Sequence, residues 1–247
     1  MKSTQYYNRH ARALSEQYNA IEPDLIHQRW SAQHLPENPG LACDIGAGSG
    51  RDANWLAAQG WDVVAVEPSA SMRELAASRS HPNVTWLDDA LPRLDRLRAI
   101  GYRFDLIILG AVWMHLPPGR ATRERAFRIL TELLKPAGVM VITLRHGNDT
   151  TENTERGFFA APADELLDYA KDRAVTLTDR FNQPDQARAH VNWETLVFRM
   201  PDDGTGSLPL LRHIIVNDDK SSSYKLGLLR VLTRIAEGCP GIVVART

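Results

Sequence analysis

The stretch Leu41–Gly50, LACDIGAGSG, decides the fold. A short apolar run ends on Asp44 and passes into GAGSG, which sets Gly46, Gly48 and Gly50 where the chain must turn sharply into a helix. Glycine tolerates left-handed backbone angles and lets the main chain approach a ligand closely, while the free amides at the start of a helix attract an electronegative group. Three readings fit such a turn: a nucleotide-type ligand, a dinucleotide held by the related spacing G-x-G-x-x-G, or no ligand at all.

Downstream, strand and helix signals alternate. After LACDI come a helix from about Asp52 to Gln59, the strand DVVAVEP, the helix SMRELAASR and the strand VTWLD. A helical linker around LDRLRAI leads to FDLIILGAV, then to the helix TRERAFRILTELL and the strand GVMVITLR. β-Branched runs alternating with amphipathic helices imply an α/β, doubly wound, mainly parallel sheet, because parallel neighbours need helical crossovers. ADELLDYAKDRAVTLTDRF reads as one further helix and strand, and WETLVFRM as a last, antiparallel strand at or near the sheet edge, seven strands in all.

Upstream, residues 3–30 carry Tyr6, Tyr7, Ala11, Leu14, Tyr18, Leu25, Ile26 and Trp30 at roughly helical spacing, interrupted at Pro23. Past Met200, PDDGTGSLP breaks the pattern, and SSSYKLGLLRVLTRIAEG reads as one helix of a C-terminal extension. The organisation expected is thus helices over 1–34, a ligand-binding domain over 35–200 and an extension over 201–247.

Of 247 residues, 43% are apolar and 24% charged, which suits a soluble chain with a sizeable core. The net charge of -1 gives no whole-chain field for a polyanion or an acidic membrane. Cys43 and Cys239 cannot build a disulfide framework, Cys43 reads as a small core residue, and no Cys/His cluster has zinc spacing, so no metal is expected. The N-terminus lacks the apolar core of a secretory signal and no run is long enough to span a membrane, so a cytoplasmic location is expected.

Spacing narrows the ligand. G-x-G-x-G directly behind an acid suits a molecule with an amino-acid group and an adenosine but no pyrophosphate. DIGAGSG here resembles the first motif of the class I, Rossmann-like S-adenosylmethionine-dependent methyltransferases, in which an acid and any residue precede G-x-G-x-G. The resemblance extends over about 35–200. It implies that Asp44, Gly46, Ala47, Gly48 and Gly50 bind S-adenosyl-L-methionine. Glu67 closes the next strand, where a carboxylate can accept both ribose hydroxyls, with Pro68 and Met72 beside it. Asp89-Ala90 matches the family's adenine-binding pair, with Asp88 as its rival, and Gly110, Ala111 and Val112 would border the methionine and sulfonium. GAVW lacks the (N/D/S)-P-P-(Y/F) motif of the amino-group DNA methyltransferases.

His115 follows at the cleft mouth, as a cofactor contact and as the candidate general base for a hydroxyl or protonated amine. Arg145 and His146 read as loop residues facing solvent, with an anionic acceptor as the other reading. Tyr6, Tyr7 and Tyr18 resemble the family's aromatic lid helix, although aromatics at helical spacing also build cores. Arg120, Arg123, Arg125 and Arg128 read as a solvated outer face. The implied reaction is methyl transfer to a small-molecule acceptor. The alternative is a nucleic acid or protein acceptor, or cofactor sensing, directed by the C-terminal segment. The oligomeric state stays open.

Overall fold

The computed structural model describes residues 2–185, 188 and 190–202. The expected helix within 221–238, and Cys239, lie outside them. Strands β1 (Leu41–Ile45), β2 (Asp62–Val66), β3 (Val84–Leu87), β4 (Phe104–Gly110), β5 (Leu134–Gly147), β6 (Thr176–Pro184) and β7 (Val191–Arg199) form one sheet in the order β3-β2-β1-β4-β5-β7-β6. The pairs β1/β2, β1/β4, β2/β3 and β4/β5 are parallel, and β7 runs antiparallel between β5 and β6. The doubly wound α/β sheet of seven strands expected from the alternation is therefore present, with β6 rather than β7 on the outer edge.

Strand alternation splits the core in two. Cys43, Ile45, Ile107, Leu109, Met140 and Ile142 pack on α6 (Arg125–Leu133) and α8 (Ala163–Asp172) through residues such as Phe127, Leu130 and Leu166. Ala42, Leu106, Ile108, Val139 and Val141 face the other way, onto α3 (Arg51–Ala58) and onto Trp30 of α2 (Pro23–His34). Pro23 stands at the first turn of α2, where its missing amide costs nothing, so it starts a helix as well as interrupting one. α1 (Lys2–Asn19) buries Ala11 and Leu14 against Met72 of α4 (Ala70–Ala77).

Three features depart from the sequence reading. α7 (Thr150–Arg156) falls in a stretch to which the sequence reading assigned no element. β5 runs on to Gly147, past the end of β4 at the Gly110/Thr143 pair, and is held there by β7 alone. Arg123 does not belong to a solvated face. Its side chain is 1% exposed and donates from Nε and Nη2 to Leu116 O, from Nη2 to Ala160 O and from Nη1 to Glu165. Arg120 is exposed and pairs with Glu124, in keeping with the expected outer face.

Candidate active site

At the carboxyl edge of the sheet lies a cavity of about 870 Å³. Its first wall is the glycine turn. Gly46, Gly48 and Gly50 all hold positive φ, and the amides of Gly46 and Ala47 donate to Val66 O at 2.7 and 3.0 Å, which ties the turn to β2. A Cβ on Gly46 would stand 2.4 Å from Val112 Cγ2, so the turn and the loop after β4 can meet only through glycine. A Cβ on Gly50 would press on the Trp86 ring, so this third glycine serves packing behind the cavity. Gly46, Ala47 and Gly48 line the cavity.

Glu67 enters it from the end of β2. Its Oε2 accepts the Gly48 amide at 2.9 Å and its Oε1 the Ser69 amide at 2.7 Å, so the carboxylate is fixed in place with a lone pair left on each oxygen. Burial pushes its pKa up, against the pull of those two amides. Asp44 lies buried behind the turn, and its Oδ2 has no partner. Burial raises its pKa well above the carboxylate range, and the charge of Asp52 adds to the rise. Burial opposes ionisation of Asp52 too, yet His27 at 3.0 Å and a two-pronged Arg51 outweigh it and hold that carboxyl well below the ordinary range.

The remaining expected cofactor contacts divide. Pro68, Asp89, Ala90, Gly110, Ala111 and Val112 line the cavity. Asp89 also caps α5 (Asp95–Ile100), accepting from Ala90 N through Oδ1 and from Arg96 N and Leu97 N through Oδ2. Asp88 points away, half exposed between Arg73 and Arg96, and Met72 backs the turn from the α1 contact. The site fits S-adenosylmethionine in kind: a fixed carboxylate with free lone pairs, and a glycine turn whose Gly46, Ala47 and Gly48 border the cavity.

The far end of the cavity was only partly legible in the sequence. Arg156 on α7 donates from Nη2 to the hydroxyls of Tyr7 and Tyr18, at 2.9 and 2.8 Å. Tyr7 Oη lies 3.1 Å from His115 Nε2, and donation by Tyr7 there corresponds to the Nδ1–H tautomer of His115. Burial, with Arg156 assisting, lowers the His115 pKa to about 4. Tyr7 and Tyr18 line the cavity and, with Tyr6, also pack against the core of Ala11, Leu14 and Met72.

Arg145 stands on β5 opposite Trp193 of β7, which in turn pairs with Gln183 of β6, and all three line the cavity. His146, one residue on, faces the other side and meets Glu194 Oε2 at 2.7 Å. Sequence reasoning missed Glu152, Arg156, Phe158, Arg188 and Trp193. The signal for α7 was present in Asp149, whose side chain caps Thr151 N and Glu152 N, and in Gly157, which ends the helix at φ 68. Among the described residues no group of His, Cys, Asp or Glu could hold a metal ion, and no helix is long and apolar enough to cross a membrane.

Residues 43–140 match a family model described as a methyltransferase domain, and residues 204–247 match one described as a domain of unknown function. No curated protein matches the chain. Among solved structures it is similar to the N-methyltransferase NodS from Bradyrhizobium japonicum WM9 in complex with S-adenosyl-L-homocysteine, at 16% identity and TM-score 0.58 over 77% of this chain and 98% of that one. Magnesium protoporphyrin IX methyltransferase from Synechocystis PCC 6803, solved with bound S-adenosylmethionine, aligns at 16% identity and TM-score 0.56 over 78% and 84%. The methyltransferase partner in a complex with the Haloferax volcanii Trm112 activator aligns at 12% identity and TM-score 0.61 over 81% and 97%. The family match lies over the glycine turn and Glu67, so residues 43–140 carry a methyltransferase domain, and the solved structures share its fold.

Proposed function

We propose that this enzyme transfers the methyl group of S-adenosylmethionine to a small-molecule acceptor held inside the cavity, releasing S-adenosylhomocysteine. The observation that carries the reading is a cavity of about 870 Å³ bordered by α1 and α2 residues such as Tyr7, Tyr18 and Leu25. It falls within the ~300–1,000 Å³ usual for small-molecule sites. Two of the similar folds bear names of the same kind, an N-methyltransferase and a porphyrin methyltransferase.

In this reading Glu67 takes the ribose hydroxyls on its remaining lone pairs, and Asp44 supports the glycine turn from behind. Asp89 accepts three amides, which leaves one of about four acceptor positions for the adenine amino group. Gly110, Ala111 and Val112 border the sulfonium. Bound S-adenosylmethionine supplies an electrophilic methyl group, whose transfer is an in-line displacement that asks the protein mainly for alignment and exclusion of water.

His115 meets two obstacles as a general base. Its Nε2 lone pair is engaged by Tyr7, and a pKa of about 4 makes it a weak proton acceptor at neutral pH. Its proposed part is positioning: it holds Tyr7, and through Tyr7 Arg156, over the cavity.

Calorimetric titration tests the reading. Wild-type protein should bind S-adenosylhomocysteine at one site, and Gly48→Arg should lose that binding while keeping its fold. A wild-type protein with no saturable binding of either cofactor form would overturn it. A second reading, a macromolecular acceptor directed by residues 204–247, draws on their match to a separate domain. Turnover of small acceptors by a chain ending at Asp202, equal to that of the full chain, would count against it.

A further inference from the structure

The far end of the cavity gathers more positive charge than it neutralises. Arg145, Arg156 and Arg188 all donate to Glu152, with Arg156 Nη1 at 2.8 Å and Arg188 Nη1 at 3.4 Å from Oε1 and Arg145 Nη2 on Oε2. Asp185 is the second carboxylate there; it accepts Arg188 Nη2 at 2.8 Å and Trp193 Nε1 at 2.9 Å. Three guanidinium groups thus face two carboxylates. Burial lowers the Arg145 pKa, opposed by Glu152, while Arg188 and Arg156 add their repulsion.

The unsatisfied polar atoms at this end are of one kind. The Arg145 side chain is 3% exposed and the Arg156 side chain 11%, both line the cavity, and the Nε of each has no partner. His115 Nδ1 is likewise buried and unpaired, and it is a donor in the tautomer in which Tyr7 donates to Nε2. Buried N–H groups without acceptors are costly, and a set composed only of donors is completed by a group that only accepts. Flat apolar walls flank them. Phe158 lies under Arg145 at 5.1 Å and Arg156 at 4.8 Å, and Trp193 lies under Arg188 at 6.0 Å.

We propose that this end of the cavity is the acceptor subsite and that it recognises an oxyanion group of the acceptor, a carboxylate or a phosphate, through Arg145, Arg156 and His115 Nδ1–H. The oxyanion completes the charge balance and accepts the unpaired donors, and the aromatic walls hold the flat or apolar part of the molecule. The nucleophile then points back along the cavity toward Gly110 and Ala111. The proposal rests on the methyl-transfer reading, since that reading places the cofactor at the opposite end.

The test uses the full-length protein saturated with S-adenosylhomocysteine and four probes of one shape: benzoate, phenyl phosphate, benzamide and benzylamine. Titration calorimetry should show benzoate or phenyl phosphate binding at least roughly tenfold more tightly than benzamide or benzylamine, the margin that charge-assisted hydrogen bonds supply. Whichever anion binds more tightly identifies the oxyanion. Arg145→Gln should weaken the anion by about tenfold and leave the affinity for S-adenosylhomocysteine unchanged. The double variant Arg145→Gln/Glu152→Gln, which removes the charges in balance, serves if the single variant fails to fold. Benzamide binding as well as benzoate, or no probe binding at all, would overturn the subsite while leaving methyl transfer intact. So would a parallel loss of S-adenosylhomocysteine affinity in Arg145→Gln, because the arginines would then belong to the cofactor. Failure of the wild type to bind S-adenosylhomocysteine would instead overturn the methyl-transfer reading.

Discussion

Arg123 exchanges a surface role expected from sequence for an interior one, while His115 lines the cavity as expected but in surroundings that lower its pKa. His115 has a pKa of about 4 in the folded chain against an ordinary 6.5, so between those values the unfolded chain binds a proton that the folded protein does not. Its contribution to stability is complete above pH 6.5 and is lost as pH falls toward 4, a change of up to about 3 kcal/mol. Urea denaturation across that range should show the loss, and His115→Gln should flatten the curve; an unchanged slope would refute the assignment. Arg123 is a harder case for substitution. Arg123→Met strands a carboxylate and two carbonyl oxygens, a cost of about 3–5 kcal/mol for breaking a buried pair. Arg123→Lys fails to rescue it, because one ammonium cannot reproduce the fork that spans Leu116, Ala160 and Glu165. Denaturation midpoints of the two variants check this. Nothing in the sequence spacing distinguishes Arg123 from Arg120, since they differ only in which side of the turn meets α8.

Among the elements, strands were legible because each carries a β-branched run bounded by turn residues, and LACDIGAGSG fixed where the first one ends. α7 was not, because TTENTER has no apolar face to give it a period; only its caps announce it. With α7 went Arg156 and Glu152, and so half of the acceptor end. The reading of Arg145 as a solvent-facing loop residue failed for a related reason. The polar end of β5 looks like loop until β7 pairs with it, and strand alternation then turns Arg145 inward and His146 outward. Removing the α7 cap with Asp149→Ala should therefore loosen Arg156 from a distance. The expected result is a lower melting temperature and an acceptor KM raised several-fold, with affinity for S-adenosylhomocysteine unchanged. Equal weakening of both ligands would show that α7 supports the whole cavity instead.

For the molecule as a whole, the doubly wound, mainly parallel sheet was legible in the alternation along the chain, whereas the far end of the cavity is assembled from α1, α7, β5 and β7, distant in sequence and joined only by folding. The backbone still pairs with the β5 turn at Pro201, whose carbonyl accepts Ala137 N at 2.8 Å, one residue after Met200 N donates to Gly138 O. A chain ending at Asp202 should bind S-adenosylhomocysteine as the full chain does, measured by the same calorimetry; a loss would bring residues 203–247 into the site. The position of α1 carries one further consequence. Asn8 fastens it to Ser69 and Ser71 beside the cofactor end, while Tyr7, the adjacent residue, fastens it to His115 and Arg156 at the acceptor end. One helix is therefore tied to both ends of the cavity, and steady-state kinetics should show a compulsory order, with cofactor first to arrive and its product last to depart. In that scheme S-adenosylhomocysteine competes with S-adenosylmethionine and inhibits noncompetitively against the acceptor, and Asn8→Ala shortens the residence time of the departing product.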